Sequence, residues 1–192
     1  MIIGIIDCGG ANLNSIYYSF KRLGINTVIS NSKNELSGLD AYVLPGVGSA
    51  NAVMQCLRDK SLIDFIKNIT KPVLGICIGM QIMYEYSEEG DTQCLGIING
   101  KIKKFKSDKN LTVPQMGWNK LVCNDDLKSL NGHYYYANSF YTDSTDSAMG
   151  YTEYGVNYTS LVKKNNFIGC QFHPEKSSVN GEKFLQYFLT TT

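Results

Sequence analysis

The chain has 192 residues, a hydrophobic share of 43%, a charged share of 18% and a formal net charge of +1. That balance fits one globular domain with a sizeable core over residues 1–192. It excludes a disordered polyelectrolyte and a strongly basic polyanion binder, so no nucleic-acid partner is expected. No apolar run nears the roughly 18 residues of a membrane span. The apolar start ends at Asp7 without a basic leader or a cleavage site, so a cytoplasmic protein with no membrane partner is expected.

"IIGIID" (2–7) reads as a buried strand. Residues 12–23 carry Leu13, Ile16, Tyr17 and Phe20 at helical spacing, with Gly24 as a stop. "INTVIS" (25–30) and "DAYVLPG" (40–46) are further strands. Val53, Cys56, Leu57, Ile63 and Ile66 predict one helix reaching about residue 67, "PVLGI" (72–76) a fourth strand, and "GMQIMYEYS" (79–87) another helix. Unbroken apolar strands alternating with helices imply a parallel sheet covered on both faces. After residue 90 the chain turns strand-like in 95–105, 117–122, 133–142, 153–166 and 167–174, largely antiparallel, with Asn-Gly turns at 99–100 and 131–132. A last helix spans about 180–189 through Phe184, Leu185 and Phe188. The fold class is α/β, a flavodoxin-like three-layer sandwich with a mostly parallel central sheet and an added antiparallel section in its second half.

Six cysteines without C-x-x-C spacing and only two histidines argue against a zinc site and for reduced thiols, so no metal and no cofactor is expected. One cysteine stands apart. "GICIG" places Cys77 after a strand and before a helix in the G-x-C-x-G form of a nucleophile elbow. Gly75 and Gly79 leave room for close backbone approach, the helix N-terminus favours thiolate, and the Ile78 N–H falls where an oxyanion donor is wanted. A glycine-rich strand end with a buried thiol is the plainer reading of the same five residues. His133, beside a turn with no acidic neighbour, reads as a surface histidine. His173 lies in "CQFHPEKS"; Pro174 keeps it extended, so Glu175 shares its side of the chain and can orient the ring toward a nucleophile. A chance loop tripeptide is the alternative. The loop "VLPGVGS" (43–49) offers Gly46, Val47 or Gly48 as a second oxyanion donor, at the strand ends where parallel sheets build sites.

Together "LPGVGS", "LGICIGMQ" and "CQFHPEKS" resemble the class I (triad) glutamine amidotransferases. The resemblance implies a catalytic triad Cys77–His173–Glu175, a thioester route from L-glutamine to ammonia, and oxyanion donors at the backbone of Val47 and Ile78. It also implies glutamine contacts at Gly48, Gln81 and Glu89 and at the backbone of Ser139 and Phe140. "PQMGWN" (114–119), "GIIDCGGANLNS" (4–15) and "SEEG" (87–90) are similar, more narrowly, to the glutaminase subunits of imidazole glycerol phosphate synthases. That implies a heterodimer with a (β/α)₈-barrel cyclase in histidine biosynthesis, with Gly10, Asn12 and Lys176 near the interface. Two positions depart from the pattern: Gln115 stands where the family has His, and Asn138-Ser139-Phe140 where it has His-Ser-Tyr. These leave a paralogue supplying ammonia for surface-sugar modification as an alternative. A γ-glutamyl or peptide cysteine hydrolase and a non-catalytic flavodoxin-like binding module are the others.

Overall fold

The structure is a computed structural model whose described residues are 1–9, 13–107, 111–143 and 145–191. Short strands alternate with helices in the first half: β1 (Ile2–Ile6), α1 (Leu13–Arg22), β2 (Asn26–Ser30), the single turn α2 (Lys33–Leu36), β3 (Ala41–Leu44), α3 (Ala50–Asp59), α4 (Ile63–Lys67), β4 (Val73–Ile76) and the single turn α5 (Ile78–Gln81). There follow β5 (Tyr86–Ser87), β6 (Thr92–Gln93), β7 (Lys101–Lys104), β8 (Gln115–Cys123), β9 (Gly132–Asn138), β10 (Phe140–Tyr141), β11 (Ala148–Glu153), β12 (Asn157–Lys164), β13 (Phe167–Cys170) and α6 (Ser178–Leu189).

Among the described residues nine strands form the main sheet, in the order β2-β1-β3-β4-β13-β12-β11-β8-β9. The first five run parallel, in the 2-1-3-4-5 order of flavodoxin-like sheets. The pairs from β13 outward are antiparallel. Thus β13 is parallel to β4 and antiparallel to β12, and it joins the two sections. A small second sheet has the order β10-β7-β5-β6.

Strand periodicity divides the core between the two faces. Ile3, Ile5, Val43, Leu74 and Ile76 pack with Phe20 of α1 and with Phe184 and Phe188 of α6. Ile6, Tyr42, Leu44 and Val73 pack with Val53 and Leu57 of α3 and Ile66 of α4. Each such fully buried aliphatic side chain stabilises the fold by about 2 kcal/mol. The layers are those expected from the apolar runs.

Two helices differ from the sequence expectation. The helix predicted over 79–87 stops after one turn. The segment 95–98 supplies the reason: Leu95, Gly96 and Ile97 donate to the carbonyls of Ile82, Tyr84 and Met83, each at 2.8 Å, and those acceptors are lost to any continuing helix. The helix predicted to run to residue 67 is broken between α3 and α4 by Ser61 at φ +53. Leu62 N–H returns to Leu57 O (2.9 Å) and Ser61 N–H to Arg58 O (2.9 Å), a Schellman closure with serine where glycine is usual. Leu62 thereby reaches the core with no exposure. Of the strand-like stretch 95–105 only 101–104 is strand, and Asn99-Gly100 joins no hairpin, because β7 pairs with β5 and β10.

Candidate active site

The carboxyl ends of β3, β4 and β13 lie side by side, and each delivers one piece of chemistry. β4 runs directly into Cys77, whose backbone adopts φ +49, ψ −107. For a non-glycine residue this costs about 1–3 kcal/mol and persists only where neighbours enforce it. They do so here: Cys77 N–H donates to Cys170 O of β13 (2.7 Å), and Cys77 O accepts from Gln81 N–H (3.0 Å). The bend also depends on two missing side chains. A Cβ on Gly79 would stand 2.1 Å from Leu44 O, and one on Gly75 would stand 2.7 Å from the Gly79 backbone. The turn α5 is thus pressed against the end of β3. Its first-turn N–H groups, Ile78 included, precede the first helical bond. One turn has little macrodipole, so the electrostatic help expected from a long helix reduces to those N–H groups.

β13 continues through Gln171 and Phe172 to His173, which Pro174 and a 3₁₀ turn over Pro174–Lys176 follow. His173 N–H donates to Tyr135 O of β9 (2.8 Å), and Ser177 Oγ donates to His173 O (2.6 Å). The ring Nδ1 donates to Glu175 Oε1 at 2.8 Å, and the two side chains are only 6% and 4% exposed. Glu175 Oε2 is buried and has no hydrogen-bond partner among the described residues. Burial works against a charged imidazole. The Cys77 sulfur, by charge and hydrogen bond, and Glu175 more than offset it and push His173 up to about 10. From the β3 side, a Cβ on Gly46 would lie 3.0 Å from Cys77 Cβ and 3.0 Å from His173 Cε1. Thiol-bearing carbon and imidazole are therefore separated by at most twice that distance. The structure brings Cys77, His173 and Glu175 into one buried group and leaves His133 exposed on β9.

Val47 is half-buried in the loop beside Gly46, and Gly48 is exposed at φ +93. Glu89 accepts from Ala50 N–H at the start of α3 (2.7 Å), tying the segment 87–91 to this loop. Gln81 is 3% exposed, and its amide nitrogen donates to Phe140 O (3.2 Å) and Gln171 Oε1 (2.8 Å). The carbonyls of Ser139 and Phe140 are also engaged, the former by Phe105 N–H (3.0 Å) and the latter additionally by Asn138 Nδ2 (3.0 Å). Lys176 Nζ sits 5.9 Å over the Tyr135 ring. Gly10 and Asn12 lie outside the described residues.

The sequence reading missed two neighbours of the sulfur. Gln171 Nε2 donates to Cys77 Sγ at 3.5 Å, and Ala137 O lies 3.9 Å from it. Gln171 is two residues before His173, but the chain bends at Gln171 and Phe172 after β13 ends at Cys170, so strand periodicity alone does not place it; Ala137 carries no sequence signal. The departures Gln115 and Asn138 turn out to be cross-strand partners in the β8–β9 register, with Tyr158 OH donating to Gln115 Oε1 (2.9 Å). The other five thiols are pushed up chiefly by burial, Cys8 to about 12 and Cys94 and Cys123 to about 11, with Cys56 and Cys170 also raised.

The profile of the family "Glutamine amidotransferase class-I" matches residues 4–191. Among curated relatives, a Haemophilus influenzae protein named imidazole glycerol phosphate synthase subunit HisH is 44% identical over 192 residues, covering 97% of this chain and 96% of that one. A protein of the same name from Idiomarina loihiensis is 38% identical, covering 100% and 99%. One named subunit HisH 2 from Legionella pneumophila is 39% identical, covering 98% of each. Among solved structures, a glutamine amidotransferase superposes with a TM-score of 0.77 at 18% identity, covering 100% of this chain and 98% of that one. PurLQS from Thermotoga maritima gives 0.73 at 18%, covering 98% and 97%.

Proposed function

The chain belongs to the class I glutamine amidotransferases, and from that premise we propose that it is the glutaminase subunit of an imidazole glycerol phosphate synthase. It serves as one amidotransferase domain that releases ammonia from L-glutamine and passes it to a (β/α)₈-barrel cyclase for histidine biosynthesis. The names of relatives 37–44% identical over nearly their whole length support this reading. The single observation that carries the chemistry is the buried juxtaposition of Cys77 with His173, itself held at 2.8 Å by Glu175.

In this mechanism Cys77 attacks the amide carbon of glutamine as the thiolate, its proton having passed to His173. The tetrahedral oxyanion is held by the backbone N–H groups of Val47 and Ile78, at about 3 kcal/mol per donor. A His173 raised to about 10 keeps its proton at neutral pH and delivers it to the departing nitrogen as the C–N bond breaks, leaving a thioester and ammonia. Water, deprotonated by His173, then opens the thioester, yielding glutamate and restoring the thiol. Glu175 orients the ring and stabilises its positive charge. Glutamine is held by Gly48, Gln81, Glu89 and the 139–140 backbone. Lys176 lies near the interface with the cyclase.

A second reading for the acceptor, ammonia supply to surface-sugar modification, is favoured by Gln115 and Asn138. These two residues that depart from the family pattern sit opposite each other beside the strand end that carries Ser139 and Phe140. The test is ammonia release from glutamine, measured alone and with a candidate cyclase bearing its nucleotide substrate. Cys77→Ala abolishes release in either case. A cyclase that raises turnover at least tenfold identifies the histidine-pathway reading. Normal turnover in Cys77→Ala refutes the triad, and no stimulation by the cyclase favours the second acceptor.

A further inference from the structure

Gln171 is buried to 1% exposure and is bound at both ends of its amide. Its Oε1 accepts from Gln81 Nε2 at 2.8 Å, and its Nε2 reaches Cys77 Sγ at 3.5 Å. Which end of a glutamine amide is nitrogen follows from its partners, and here the partners leave one solution. Phe140 O is a carbonyl and can only accept. Gln81 must turn its NH₂ toward it (3.2 Å), and the same NH₂ then faces Gln171. Gln171 must answer with its oxygen, which directs its own NH₂ at the sulfur. The polarity of the chain from Phe140 through Gln81 and Gln171 is set at its far end.

A donor aimed at sulfur favours the anion. The protonated thiol has another partner, Ala137 O at 3.9 Å, to which S–H can donate. The thiolate cannot donate and instead accepts from Gln171 and from His173. The remaining titratable groups near the sulfur are Cys170 on β13, Tyr158 on β12 and, behind His173, Glu175. Cys170 and Tyr158 are kept neutral by burial. Neither can supply a positive charge.

We propose that Gln171 is a thiolate-holding residue of this enzyme: its amide N–H stabilises the Cys77 anion, and its orientation is locked by the Gln81–Phe140 chain. This rests on the reading of Cys77 as the nucleophile. It also gives Gln81 a task apart from substrate contact, because both donors of its amide are already engaged inside the protein.

The test is the pH dependence of Cys77 alkylation by iodoacetamide, followed by mass spectrometry of the Cys77 peptide in the intact chain. In Gln171→Leu, thermally folded like the parent, the midpoint of the rate profile moves up by about one pH unit and the rate at pH values below the parental midpoint falls about tenfold, as expected for losing one hydrogen bond to a charged group. An unchanged profile overturns the proposal. Should Gln171→Leu not fold, Gln81→Met carries the same readout: with its lock removed the Gln171 amide can turn its oxygen to the sulfur, and the midpoint moves up, with a severalfold slower rate below the parental midpoint. An unmoved midpoint there overturns it equally. If parental Cys77 labels no faster than the other five thiols, the nucleophile reading itself has failed. Fast parental labelling with an unmoved variant profile removes only the role of Gln171.

Discussion

Substituting Gly79 by alanine tests whether the close packing at the elbow builds the site. The added Cβ would stand 2.1 Å from Leu44 O, 2.7 Å from Leu44 C and 3.0 Å from Leu44 Cβ, whereas ordinary contact begins at 3.4 Å. The nearest obstacle is strand backbone, which cannot rotate away as a side-chain tip would. More than an ångström of separation between α5 and β3 is needed. Overpacking against backbone costs about 3 kcal/mol, and the roughly 1 kcal/mol that alanine gains over glycine in a longer helix is small in a single turn. For a chain of this size that loss lowers the melting temperature by about 6–12 °C. The same displacement draws Cys77 and Ile78 away from the loop holding Gly46 and Val47. A misplacement of about 1 Å lowers turnover about 100-fold. Calorimetry and ammonia release measure the two effects together. A Gly79→Ala protein with unchanged melting temperature and turnover within twofold of the parent would refute the argument that close approach of α5 to β3 positions the thiol.

Two further outcomes follow from the proposed triad. Cys77→Gly abolishes glutamine hydrolysis at little cost in stability, because relief of a φ of +49, whose strain is about 1–3 kcal/mol, offsets the buried side chain and the contacts to Gln171 and His173 that are lost; denaturant unfolding showing a loss above about 3 kcal/mol would contradict this. The folded-state pKa of His173 is raised from 6.5 to about 10, so its contribution to stability is fully present below pH 6.5 and declines as pH rises from there through about 10. For the imidazole alone, the unfolded chain between those values has released a proton that the folded one keeps, a slope of up to about 1.4 kcal/mol per pH unit, cancelled to the extent that the proton held is the one Cys77 gave up. Glu175→Gln removes one of the raising causes, so the fall in stability measured by urea unfolding ends at a lower pH than in the parent, while glutamine turnover drops about 100-fold or more through loss of ring orientation. Parallel pH profiles for parent and variant would contradict the assigned cause.

Much of the architecture could be read before any coordinates. The apolar runs at 2–7, 40–46 and 72–76 predicted strands buried on both faces, and β1, β3 and β4 are so placed because only a sheet covered by helices removes both faces from water. Gly75 and Gly79 were legible as sites of close approach. His173 and Glu175 were legible as a pair, though not for the expected reason: His173 is extended, but Glu175 lies in the 3₁₀ turn over Pro174–Lys176 and meets the ring from there. What failed was governed by partners far along the chain. The segment 79–87 has helical spacing, yet residues 95–98 take its carbonyls. Ser61 carries no stop signal, yet burying Leu62 turns the chain there.

Residue order by itself determined which chemistry was on offer: one thiol between glycines, one imidazole followed by a carboxylate, and strands too apolar to lie anywhere but inside. Those are local properties, set by periodicity and backbone conformation. Only the tertiary structure decided that β13, last of the strands, inserts beside β4 in parallel, and that placement sets His173 and Gln171 against Cys77 across more than ninety residues of sequence. Strand order is chosen by the sum of packing over the whole sheet, and no short stretch of the chain contains that sum.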